Sequence, residues 1–175
     1  MERRTLMELI VSICLVIIGI ITVILPIFDF SNVKLIFIVI IALYGLLHFI
    51  KYFMTLKSKD YSSLYTGIAS IFELALVCFI DISDSPWNLA VSLFIWIILI
   101  SLIKLKESDY YNDRKNKLWK LNIINLILFI IVGILATISL YCTNDVQILV
   151  LGFFFLINGI LELMDPLVAY LIEKK

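Results

Sequence analysis

The chain has 175 residues, of which 63% are hydrophobic and only 16% charged, and its mean hydropathy is +1.11. That is more apolar side chain than a water-soluble domain of this size can hide, so a bilayer has to act as the solvent and the expected fold class is an all-α polytopic membrane protein. The formal net charge of zero conceals a pattern, because the charges gather in short stretches between long uncharged runs.

Crossing the hydrocarbon takes roughly 20 apolar residues as a helix whose backbone hydrogen bonds are all internal. Six such runs follow in order: 6–25, 33–53, 64–80, 87–103, 118–140 and 146–164. None alternates apolar and polar residues, which excludes an outer-membrane barrel. The first run lacks an Ala-x-Ala-type cleavage site and is expected to be a retained helix.

Orientation is set by Lys and Arg in the short connections. Of the fourteen such residues, all but Lys34 fall on one side: Arg3 and Arg4; Lys51, Lys57 and Lys59; Lys104, Lys106, Arg114, Lys115, Lys117 and Lys120; Lys174 and Lys175. The opposite connections carry Asp29, Asp81, Asp84 and Asp145. Both termini are therefore expected in the cytoplasm, with the chain in the cytoplasmic membrane. Trp119 and Tyr52 suit one aromatic belt, and Phe28, Trp87 and Tyr141 the other, while Trp96 is mid-span and fits neither.

The runs also repeat. Gly19 and Gly45 are 26 residues apart, as are Gly133 and Gly159, and the same register pairs Glu73 with Leu99 in the middle. The expectation is a single transmembrane domain, 1–175, of three hairpins (6–53, 64–103 and 118–164) joined by hydrated connectors at 54–63 and 104–117. All three hairpins share one orientation. This is a parallel repeat, unlike the inverted repeats of many alternating-access transporters.

Gly19-Ile-Ile-Thr-Val-Ile-Leu-Pro26, a short outer turn, and a returning helix through Ala42-Leu-Tyr-Gly45 together resemble the HdeD family of small six-helix inner-membrane proteins with duplicated hairpins. The resemblance extends over all three hairpins. It implies an association with acid tolerance, with no reaction, ligand or catalytic residue to carry over. The later hairpins depart from the pattern: Ile80 and Leu140 stand at the proline position and Glu73 at the glycine position of the second.

Ionisable residues inside a membrane are costly and point to function, and Glu73, mid-way along the third run, is the foremost. Helical spacing puts Thr66, Ser70, Glu73 and Val77 on one face, as it does Ser12, Gly19, Thr22 and Pro26 on the first helix and Asn122, Asn125, Gly133 and Ala136 on the fifth. These are the expected inward faces. At ~1.5 Å per residue, His48, Asn125 and Asn158 lie in the cytoplasmic third, Glu162 nearer the interface and Glu73 deeper. This polar cluster (Glu73, His48, Asn125, Asn158) reads as packing glue, as a proton-responsive group, or as the lining of a cavity open to the cytoplasm. Burial in a dry interior favours the neutral form of a carboxyl, which is what makes Glu73 a candidate proton-responsive residue. Glu162, Asp165 and Pro166 are expected to end the last helix at a hydrated boundary, with Lys51 and Lys104 snorkelling outward.

Gly19, Gly45, Gly133, Gly152 and Gly159 are the candidate helix-packing glycines, and Phe153-Phe154-Phe155 is a candidate lipid or partner surface. With one His and three scattered Cys there is no metal-ligand spacing, no catalytic constellation stands out, and no cofactor is expected. Cys78 and Cys142 both fall near outer helix ends, where a disulfide is geometrically conceivable. The segment 107–120 mixes both signs, which argues against nucleic-acid binding, while its basic end, Arg114-Lys115-Asn116-Lys117, suits contact with anionic headgroups. The expected partners are the lipid bilayer and, for a working transporter of this size, further copies of the chain as a homo-oligomer. The functional expectation is a non-enzymatic membrane protein of HdeD-like type linked to acid or envelope stress. The alternatives are a small proton or solute transporter and a scaffold for another membrane protein.

Overall fold

Six apolar helices, each long enough to cross a membrane, make up nearly all of the computed structural model, which describes residues 3–56, 61–82, 85–113 and 118–173. They are α1 (Arg3–Ile24), α2 (Val33–Met54), α3 (Tyr61–Phe79), α4 (Pro86–Asp113), α5 (Leu118–Ser139) and α6 (Asn144–Glu173). This is the architecture of a polytopic membrane protein. Lys57, Lys59, Asp84, Arg114, Lys115, Lys117, Lys174 and Lys175 lie outside the described residues.

Local signals start and stop the helices. A 3-10 turn, Leu25–Phe28, has Pro26 as its second residue and ends at Asp29 in the left-handed conformation, φ 57°. The Asn32 side chain accepts from the Leu35 backbone at 3.0 Å and caps α2. Pro86 opens α4, where a missing N–H costs nothing. Polar side chains within the spans turn back on their own helix: Ser12, Thr22, Thr66, Ser70 and Thr137 each donate to the carbonyl four residues earlier. These hydroxyls are satisfied without joining two helices.

Three boundaries differ from expectation. The segment 104–113 is a continuation of α4 rather than a hydrated connector, α3 begins three residues early at Tyr61, and α6 runs through Pro166 to Glu173 instead of ending there. In α4 the run past the hydrocarbon, Lys104-Leu-Lys-Glu-Ser, is made of residues that tolerate or favour helix, so the backbone continues where hydropathy stops.

Each helix packs against its neighbours in the chain, and α1 meets α6 along the most extensive seam, closing a ring; α2 also touches α6. The seam is antiparallel, with Val16 opposite Gly159, Gly19 opposite Leu156 and Val23 opposite Gly152, at distances where the glycines admit no side chain. Without a hydrophobic drive between helices in lipid, such backbone proximity supplies the packing contacts that hold two spans together.

The middle of the ring is filled by aromatic rings. Trp96 is fully buried, with ring centroids 5.1 Å from Tyr44, 6.3 Å from Phe129, 6.0 Å from Phe154 and 5.4 Å from Phe155. This explains why Trp96 sits outside the aromatic belts. It also corrects the reading of 153–155 as one outer surface: Phe153 faces out, whereas Phe154 and Phe155 are core.

At the end of the bundle away from the termini, Lys34 pairs with Asp81 at 2.8 Å, tying the start of α2 to the turn after α3. Both side chains are more than a third exposed. Lys34→Ala is therefore expected to lower stability by no more than about 0.5 kcal/mol, and salt should erase the difference. Chemical unfolding in low and high salt checks this. Cys14, Cys78 and Cys142 are all free, so no disulfide joins α3 to the α5–α6 turn.

Candidate functional site

The polar residues that the ring encloses lie toward the end where the chain enters α1 and leaves α6. Two stripes with the same spacing face each other there: Tyr44, His48 and Lys51 on α2, and Asn158, Glu162 and Asp165 on α6. Steps of four and seven residues keep each stripe on one helical face.

Glu162 is the common acceptor. Its Oε1 receives the Tyr44 hydroxyl at 2.8 Å, the Lys104 ammonium of α4 at 3.2 Å and the Asn158 amide at 3.4 Å, and His48 Nε2 lies 3.8 Å from Oε2. Its side chain is only 12% exposed. Three helices thus converge on one carboxyl. Charged donors make short, strong hydrogen bonds in such a setting, and a carboxylate can accept several at once. Lys104 also lies 5.4 Å from the centroid of the Phe129 ring, a cation–π contact.

Tyr44 links this centre to the aromatic core. Its ring is 4.6 Å from the His48 ring and edge-on to Trp96, while its hydroxyl holds Glu162. One side chain therefore carries both apolar packing and a hydrogen bond.

Around Glu162 the polar shell widens. Asn125 of α5 donates its amide to the Asp165 carboxyl at 2.9 Å and to the Leu161 carbonyl at 3.2 Å. Lys51 of α2 stands 3.6 Å from Glu8 of α1. Lys104, Glu107, Glu8 and Glu162 are all within electrostatic reach of Asp165. Lys51 and Lys104 accordingly pair inward, in place of the expected snorkelling, and Glu162 and Asp165 belong to the bundle interior, in place of a hydrated helix end.

Glu73 occupies a different place. It is fully buried on α3, takes the Ser92 hydroxyl of α4 on Oε1, and has no partner for Oε2. Of the four residues expected to cluster, His48 and Asn158 meet at Glu162, Asn125 of α5 bonds Leu161 and Asp165 beside it, and Glu73 stands apart with Ser92.

Among the described residues no group of three or more His, Cys, Asp or Glu is placed to hold a metal ion. The chemistry within reach is proton exchange and charge pairing: each carboxyl binds donors as an anion and loses acceptor capacity when it takes up a proton. No family model, no curated protein and no solved structure matches the chain.

Proposed function

We propose that the chain is a non-enzymatic multi-pass membrane protein whose packing responds to protons, in keeping with its resemblance to the HdeD family and with a role in acid or envelope stress. One observation carries the reading: Glu162 gathers Tyr44, His48, Lys104 and Asn158 from three helices onto a single carboxyl that is only 12% exposed. The Lys and Arg distribution supports the cytoplasmic membrane as location, with both termini and the Glu162 centre toward the cytoplasm.

The sign of the response follows from the partners. Acidification that protonates Glu162 removes the counter-charge of Lys104 and weakens the join between α2, α4 and α6. His48 acts the other way, since its protonation adds a cation beside the carboxylate. The wild type should therefore keep its stability through the mildly acidic range and lose it once Glu162 itself is neutralised. Thermal unfolding of the full chain in detergent from pH 7.5 down to pH 2 tests this. Glu162→Gln is expected to be less stable at pH 7.5 and to lose less stability between pH 4 and pH 2 than the wild type; equal losses in both proteins over that interval overturn the reading.

Glu73 favours a second reading, proton translocation, because a buried carboxyl with one free oxygen is a proton-binding group in the path of α3 and α4. Against it stands the aromatic filling around Trp96, which a transport cycle would have to part. Infrared spectra in liposomes, with Glu73→Gln as control, distinguish the two together with a vesicle-trapped pH dye. A Gln-sensitive carboxyl band that titrates, accompanied by Glu73-dependent proton flux, would favour transport. Flux equal to that of protein-free vesicles is the outcome expected of a responsive but closed bundle.

A further inference from the structure

Pro166 lies buried inside α6. Its nitrogen has no hydrogen to give, so the Glu162 carbonyl four residues earlier loses its helical partner, and the proline ring crowds that same carbonyl. Sharp bends in helices occur where such a carbonyl is freed or where an outside group enters the hydrogen-bond ladder. Both conditions meet here, because the Asn125 amide, from α5, bonds the Leu161 carbonyl at 3.2 Å.

The backbone of the turn 161–166 thus lacks one helical hydrogen bond, and it is held from outside by other helices. Asn125 grips the Leu161 carbonyl and the Asp165 carboxyl, and Tyr44 and Lys104 grip the Glu162 side chain. Beyond it the helix continues for two turns, 167–173, with Leu171 exposed.

We propose that α6 is hinged at 161–166, that residues 167–173 form the moving arm, and that Asn125 is the clasp holding the arm in line with the rest of the helix. The charged groups facing the hinge are Glu8 of α1, Lys104 and Glu107 of α4, and His48 and Lys51 of α2. The hinge itself rests on a missing backbone donor and a neutral amide. It therefore stands or falls separately from the proton response.

The test uses the full chain in nanodiscs at pH 7.5 with Cys14→Ala, Cys78→Ser and Cys142→Ser, and spin labels at Leu171→Cys and Tyr65→Cys, two exposed sites on α6 and α3. The reference protein gives one distance. Asn125→Ala adds a second population displaced by about 5 Å or more, one helical turn, and adding Pro166→Ala, which returns the backbone donor, removes it. Pro166→Ala alone narrows the reference distribution and supplies a reading even if Asn125→Ala fails to assemble. A single unchanged distance in Asn125→Ala, a second population that survives Pro166→Ala, or no narrowing with Pro166→Ala alone overturns the hinge.

Discussion

Glu162→Ala is expected to lower the unfolding free energy in bicelles by about 3 kcal/mol, the scale for removing one member of a buried ion pair. The loss comes less from the missing bond than from what remains: the Lys104 ammonium, only 22% exposed, and the Tyr44 hydroxyl are left without their acceptor. Lys104→Met removes the stranded charge while keeping an apolar chain over Phe129. The double variant Glu162→Ala with Lys104→Met should therefore be more stable than the sum of the single losses implies. Steric-trapping measurements on the four proteins give the coupling. Strictly additive losses would mean that Glu162 and Lys104 do not act as a pair.

A comparably large effect is expected at the seam between α1 and α6. A Cβ added at Gly19 would lie 2.5 Å from the Cα and N of Leu156, and backbone cannot turn aside as a side chain can. Gly19→Leu should push the two helices apart at a cost of about 3 kcal/mol, the upper part of the range for overpacking, and shift detergent-solubilised protein toward aggregates. Gly133→Ala is the contrast. There the new methyl meets side-chain atoms of Ile97, nearest Cδ1 at 2.8 Å, which can rotate, so its loss should be well under half as large. Equal losses at the two positions would show that backbone proximity is not what joins α1 to α6.

The six spans were legible because each is set by one local quantity, a long uncharged run that only a helix can carry through lipid. The helix ends were less so, for the reason α4 shows: past Ile103 the solvent changes but helix-compatible residues continue. Pro166 misled in the opposite direction, since a proline beside two acids has the look of a helix terminus, while tertiary contacts to Asn125 and Lys104 keep the turn together. Glu73 was identifiable from depth alone. Glu162 was not, because its meaning depends on Tyr44 and His48 lying across from it, a fact about α2 and α6 packing that no single helix encodes. A signal existed all the same: the two polar stripes 44, 48, 51 and 158, 162, 165 share one spacing, and both helices run toward the same side of the membrane.

The α1–α6 seam has a consequence for biogenesis. The main partner of α1 is α6, and at roughly 5–20 residues per second the interval between their synthesis is on the order of ten seconds. For that time Gly19 and its neighbours face lipid or an insertion factor instead of α6, and α1 touches only what has already arrived. Premature termination anywhere before α6 would leave the α6-facing side of α1, with its gap at Gly19, uncovered, a defect that membrane quality control could recognise by shape alone.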